Sequence, residues 1–165
     1  MGLYTVTDWL GLVPLVVALG FALLGLFQLI RRKSLWKADR SLLVLGRFYL
    51  MVMGAYLFFE RTAVNYRPVL IDGYLEASYP SSTTMLALCV LPTAMLQLKE
   101  RIRSRRIRRG ILVALGGLTA LWVLGRLISG VYWVTDIIGG GLFSTGGVLL
   151  YQAVCSRVAK GEVIV

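Results

Sequence analysis

Long apolar runs separated by short polar connectors dominate the pattern of this chain. Five such runs can be marked, and the third and fourth are close to the lower limit of the roughly 17–25 residues that cross a bilayer as a helix. Within lipid each run must be helical, because every backbone amide needs a hydrogen-bond partner inside its own segment. The pattern therefore predicts an all-α polytopic membrane bundle of about five spans, at residues 9–30, 41–59, 81–98, 111–128 and 133–155.

Basic residues are concentrated in alternate connectors. The formal net charge is +10, and fourteen of the eighteen lysines and arginines lie in residues 31–40, in residues 99–109 or in the tail at Arg157 and Lys160. Cations of this kind mark the cytoplasmic side, which predicts an N-out, C-in orientation. Arginine runs also occur in nucleic-acid patches. A topology anchor beside anionic lipid explains residues 101–109 without a nucleic-acid partner, so none is expected.

The composition agrees with a membrane protein. Of the 165 residues 58% are hydrophobic and the mean hydropathy is +0.76, more apolar surface than a water-soluble domain of this length could bury. We expect a single membrane domain over residues 1–165.

Cys89 and Cys155 match no disulfide or metal spacing, and the chain has no histidine. Both cysteines are therefore interpreted as packing residues, and no metal or cofactor is expected.

Charged and hydroxyl residues gather at the predicted outer ends of spans two to five. Arginine offers a planar fork of donors for phosphoryl oxygens, and the first amides of a helix form an anion site. Each residue alone has a simpler explanation, such as a helix cap for Ser81, a helix-start acid for Asp136, or a lipid contact for Arg67. Together they predict an outward-facing phosphate pocket formed by Arg67, Ser81, Ser82, Thr83, Arg126, Tyr132 and Asp136.

Three short motifs in this region resemble the type-2 phosphatidic acid phosphatase family, which shares a superfamily with vanadium haloperoxidases. The family's K-x6-R-P reads "ERTAVNYRP" at 60–68, its P-S-G-H reads "PSST" at 80–83, and its S-R-x5-H-x3-D reads "GRLISGVYWVTD" at 125–136. The match covers about residues 41–155 and leaves 9–30 as an additional N-terminal span, whereas the family usually has six spans. The resemblance implies that Arg67, Arg126 and the amides near Ser81 and Ser82 hold a phosphoryl group.

Three positions depart from that pattern. Glu60 stands at the family's lysine, with Arg61 as an out-of-register substitute. Thr83 stands at the histidine that protonates the leaving group, and Tyr132 at the nucleophilic histidine that Asp136 would orient. A tyrosine hydroxyl ionises near pH 10, and loss of general acid assistance costs about 10²–10⁴-fold in rate. Lipid phosphate hydrolysis is therefore expected to be lost or very slow.

The sequence favours an integral protein of the bacterial plasma membrane whose outer-face pocket takes a lipid phosphate or a polyprenyl (pyro)phosphate and whose catalysis is impaired. One alternative is an active lipid phosphatase in which Tyr132 is the nucleophile. Another is a small lipid transporter or accessory protein, although Arg47 is almost the only polar residue inside the spans. Arg47 itself either snorkels toward the cytoplasmic face or makes a contact inside the bundle. The oligomeric state is left open.

Small residues also repeat along the last span. Gly140 with Ser144, and Gly141 with Thr145, have the spacing typical of closely packed membrane helices. Close packing within the bundle is the favoured interpretation, and a dimer interface is the alternative.

Overall fold

The computed structural model describes residues 9, 12–32, 40–68, 76–159 and 161. In this part of the chain the only pairing between extended residues is one isolated antiparallel bridge, from Tyr66 to Ala77. The prediction of an all-α bundle is confirmed. Its five helices are α1 (Leu12–Arg32), α2 (Arg40–Thr62), α3 (Ser82–Arg101), α4 (Arg105–Ile128) and α5 (Val134–Ala159).

The helices differ in how well they suit lipid. By length and composition α2, α4 and α5 could each cross a membrane, and α1 contains a shorter apolar stretch at Leu12–Gln28. The third predicted span, α3, is not among the helices that are long and apolar enough to cross a membrane. It is the central helix and contacts the other four. Because protein rather than lipid surrounds it, α3 tolerates threonine and glutamine on its surface, where neighbouring helices supply partners.

The contact between α3 and α5 depends on small residues. Ser144 donates a hydrogen bond of 3.2 Å from its hydroxyl to the carbonyl oxygen of Met85. A Cβ added at Gly140 would lie 3.6 Å from the Met85 backbone nitrogen, whereas one at Gly141 would meet nothing within 4 Å. Gly140 and Ser144 therefore pack inside the bundle, as predicted, and Gly141 faces away from it together with the exposed Thr145.

Gly139 lets the chain before α3 approach α5. A Cβ at this position would lie 2.5 Å from the ring of Tyr79, closer than real contacts allow. The side chain of Tyr79 therefore packs directly on the backbone of α5. This contact brings the "PSST" segment against the first turn of the last helix.

The main core lies between α2, α3 and α5. Cys89 is buried in it and Cys155 packs against its edge, which agrees with their interpretation as packing residues. Arg47 is exposed on α2 and points away from the bundle, as snorkelling requires. The buried members of this core are Leu42, Leu45, Phe48, Val52, Met85, Cys89 and Tyr151.

The helix ends meet in two groups. At one end Arg101 of α3 donates a hydrogen bond to Ser41 of α2 over 3.3 Å. At the other end the amide of Ser81 donates to the carbonyl oxygen of Asp136 over 3.1 Å. The basic connector at 99–109 lies at the first end and the predicted phosphate pocket at the second, so the bundle separates the two.

Candidate functional site

The loop that follows α2 is fixed to the start of α5. Beside the Tyr66–Ala77 bridge, the amide of Arg67 donates to the carbonyl oxygen of Glu76 over 3.1 Å. The indole Nε1 of Trp133 donates to the carbonyl oxygen of Tyr66 over 3.0 Å. These contacts place the first motif beside the third, although the two are more than 50 residues apart in sequence.

Both motif arginines lie over the ring of Tyr132. The guanidinium carbon Cζ of Arg67 is 4.6 Å from the ring centroid, and that of Arg126 is 5.6 Å from it. Arg126 is completely buried, Tyr132 is 5% exposed, and Arg126 also lies 5.6 Å from the ring of Trp122. Cation–π attraction therefore holds both guanidinium groups at the ring of Tyr132.

Asp136 is buried and accepts several hydrogen bonds. Its carboxylate accepts from the Ser78 hydroxyl, from Asn65 Nδ2 over 3.4 Å and from the Trp133 amide over 3.2 Å. Because α5 begins at Val134, Asp136 is the third residue of the helix. Its carboxylate accepts a hydrogen bond from the amide of Trp133, the residue just before the helix, as a capping acid does. Its side chain therefore ties the loop after α2 to the start of α5.

Tyr132 and Asp136 lie in different elements of the structure. Tyr132 lies in the turn before α5 and is outside the helix. Among the described residues no hydrogen bond joins its hydroxyl to Asp136. The structure thus brings both residues to the same region without the contact through which the carboxylate would orient the hydroxyl.

The "PSST" segment is more enclosed than predicted. Ser81 is fully buried, its amide donates to the carbonyl oxygen of Asp136, and its hydroxyl donates to Thr84 over 2.9 Å. These two donors of Ser81 are therefore already engaged within the protein. The hydroxyl of Thr83 is also buried and has no hydrogen-bond partner in the ranges that the structure describes.

Ser82 lines a small cavity beside the site. Its volume is about 10 Å³, room for about one water molecule, and Glu60 and Tyr56 also line it. This cavity is too small for a phosphoryl group. Across the described ranges, no three His, Cys, Asp or Glu side chains come close enough to form a metal site.

Glu76 is a member of the site that sequence reasoning missed. Its carboxylate lies 2.9 Å from Nη2 of Arg67, and the Arg67 side chain is only 11% exposed. Asn65 and Ser78, which hold Asp136, were missed as well. Asn65 occupies an unspecified position of the first motif and the other two lie outside the motifs, so only the tertiary structure places the three beside residues distant in sequence.

Comparison with known proteins finds similar membrane phosphatases by sequence and by fold. No family model matches the chain. Phosphatidylglycerophosphatase B of Bacillus subtilis is 30% identical over 141 residues, which are 85% of this chain and 64% of that protein, so the chain spans just under two thirds of its relative.

A solved structure is similar as well. It is the crystal structure of the first transmembrane PAP2-type phosphatidylglycerolphosphate phosphatase from Bacillus subtilis, with a TM-score of 0.54 and 26% sequence identity, and the similarity covers 92% of this chain and 78% of that one. Sequence and fold therefore agree with the three motifs found in order. In both sequence and fold the chain is similar to type-2 phosphatidic acid phosphatases of the membrane.

Proposed function

We propose that this lipid phosphatase-like membrane protein binds the phosphate of a lipid at its outer face and hydrolyses it slowly or not at all. The observation that carries the proposal is the convergence of Arg67 and Arg126 on the ring of Tyr132. Two neighbouring guanidinium groups attract a phosphate strongly, because each offers a fork of charge-assisted hydrogen bonds.

The position of Glu76 supports an anion site at Arg67. Its carboxylate contacts the guanidinium at the distance that a phosphoryl oxygen would take. A phosphate that binds Arg67 would take the place of the Glu76 carboxylate. The exposed fraction of the Glu76 side chain is 44%, so the carboxylate can swing into solvent while the backbone of the loop keeps its hydrogen bonds.

The surroundings of Asp136 and Thr83 favour binding over hydrolysis. Attack by Tyr132 on phosphorus requires a base that removes its phenolic proton, and the carboxylate of Asp136 instead accepts three other hydrogen bonds. The departing alcohol oxygen requires a proton in turn. A threonine hydroxyl at position 83 does not supply one in the physiological pH range.

The ligand class follows from the relatives. The similar Bacillus subtilis proteins are named for phosphatidylglycerolphosphate, which makes a glycerophospholipid phosphate the first candidate ligand and a polyprenyl (pyro)phosphate the second. In the orientation that the basic connectors favour, the site faces the extracytoplasmic side of a bacterial plasma membrane.

A binding experiment tests the proposal directly. Short-chain phosphatidic acid would be titrated into the purified protein in detergent and followed by calorimetry, with Arg67→Gln compared against Arg61→Gln. We expect the change at Arg67 to weaken binding by about tenfold, because a charge-assisted hydrogen bond is lost. The exposed Arg61 serves as the matched control, and the expected change there is less than about twofold. Equal affinities in all three proteins would refute the site.

Phosphate release distinguishes the second candidate, an active phosphatase. Arg67 and Arg126 lie where they would stabilise a phenolate on Tyr132, which is the observation that favours it. The protein would be incubated with phosphatidic acid, phosphatidylglycerol phosphate and undecaprenyl pyrophosphate. Turnover that Tyr132→Phe abolishes would establish this candidate and exclude impaired catalysis. If Tyr132→His combined with Thr83→His gains turnover, the geometry of the site is that of the family.

A further inference from the structure

A second group of polar residues lies at the end of the bundle opposite the candidate site. Gln97 of α3 is 2% exposed and forms its centre. Its amide nitrogen donates to the hydroxyl of Tyr151 and, over 3.4 Å, to the carbonyl oxygen of Ser41. Its amide oxygen accepts from Arg101 and, over 3.3 Å, from the hydroxyl of Ser41. Side chains of α2, α3 and α5 are thereby joined in one network.

The network fixes the guanidinium of Arg101. That group donates to the side chain of Gln97 one helical turn earlier, and to the hydroxyl of Ser41 over 3.3 Å. A guanidinium held in this way has lost much of its rotational freedom before any ligand arrives, which lowers the entropic cost of a further contact. Arg40, the first residue of α2, lies beside it.

A cavity of about 570 Å³ opens next to this network. Its volume lies within the range of roughly 300–1,000 Å³ that is usual for sites of small ligands. Among the described residues its lining includes Arg40, Arg101 and Glu100, together with the apolar Leu96 and Val158. The described lining is therefore amphipathic and carries more positive than negative charge.

We propose that this cavity binds the phosphate headgroup of an anionic phospholipid from the leaflet that the charge pattern assigns to the cytoplasm. The two guanidinium groups supply donors for the phosphate, and the apolar Leu96 and Val158 offer contacts to the glycerol backbone and the first methylene groups. Inorganic phosphate would meet the same cations but would gain nothing from these apolar residues. The 20 residues of α3 span about 30 Å, so this site is separate from the one at the outer face.

Lipid titrations of the full chain test the proposal. Dioctanoyl phosphatidylglycerol, dioctanoyl phosphatidylcholine and inorganic phosphate would each be added to the protein in detergent, and bound ligand counted by native mass spectrometry. We expect Arg101→Gln and Arg40→Gln each to weaken binding of the anionic lipid by about tenfold. Arg103→Gln, at an exposed position in the same basic connector, is the matched control and should change it by less than about twofold.

Each other outcome overturns the proposal. An equal loss in all three variants would mean that the basic connector attracts lipid by diffuse charge alone. Equal binding of phosphatidylcholine would exclude a site for an anionic headgroup, and equally tight binding of inorganic phosphate would exclude a lipid. If Arg101→Gln lowers the unfolding temperature because the network is broken, the exposed Arg40 decides the result, and unchanged binding in Arg40→Gln refutes the site.

Discussion

Replacing Glu76 with glutamine should strengthen phosphate binding at the outer site. The carboxylate of Glu76 lies 2.9 Å from Arg67 and competes with an incoming phosphate for it. Two unit charges about 5 Å apart repel by about 3 kcal/mol at an effective dielectric constant near 20. Because Glu76 is 44% exposed, solvent and salt reduce this repulsion to about 1 kcal/mol, which corresponds to roughly fivefold in affinity.

The substitution is small enough to leave the loop in place. Glutamine keeps the length and shape of the side chain, and the backbone bond from the Arg67 amide to the carbonyl oxygen of residue 76 does not involve the carboxylate. The lost ion pair contributes about 0.2–1 kcal/mol to the free energy of unfolding, so only a small fall in stability is expected. Glu76→Asp retains the charge and is the matched control.

The assay is calorimetric titration with glycerol 3-phosphate, a soluble phosphate monoester that cannot insert into the detergent micelle. Affinity should rise by roughly fivefold in Glu76→Gln, remain near the wild-type value in Glu76→Asp, and fall toward a common weak value at high salt. Unchanged or weaker binding in Glu76→Gln would refute the view that Glu76 occupies the phosphate position on Arg67. An equal rise in both variants would attribute the effect to disturbance of the loop and not to charge.

Two further predictions concern stability, measured as thermal unfolding in detergent. Gly139→Ala should lower the free energy of unfolding by about 1–3 kcal/mol, because the new methyl group would overlap the tyrosine ring packed against it, whereas Gly141→Ala has open space and should be neutral or slightly stabilising. Ser78→Ala should cost about 1–3 kcal/mol, since the buried carboxylate of Asp136 loses a donor, while Ser156→Ala at an exposed position should cost little. Equal unfolding temperatures within either pair would contradict the corresponding packing or hydrogen-bond argument.

The structure changes the interpretation of Asp136. The family pattern implies that its carboxylate orients the residue at position 132. In the structure the carboxylate caps α5 and binds Ser78 and Asn65 of the preceding loop. Asp136 therefore supports the shape of the site.

Most of the fold was predictable from the sequence, because helix formation in lipid depends on local hydrophobic runs and orientation depends on nearby cations. The motifs likewise placed Arg67, Arg126 and Tyr132 at the outer end, since each lies at a helix boundary. Only the tertiary structure made α3 the central helix, because that depends on which faces of the other helices pack against it.

The details of the site depended on the tertiary structure in the same way. Asn65 and Ser78 lie 71 and 58 residues before Asp136, and Glu76 reaches Arg67 only because the loop turns back on itself. No periodicity or local spacing specifies such pairs. The sequence by itself predicted which residues gather at the end of the bundle opposite the cationic connector at 99–109. Packing decided which of them touch, because contacts between distant segments are fixed only when the helices and the loop assemble together.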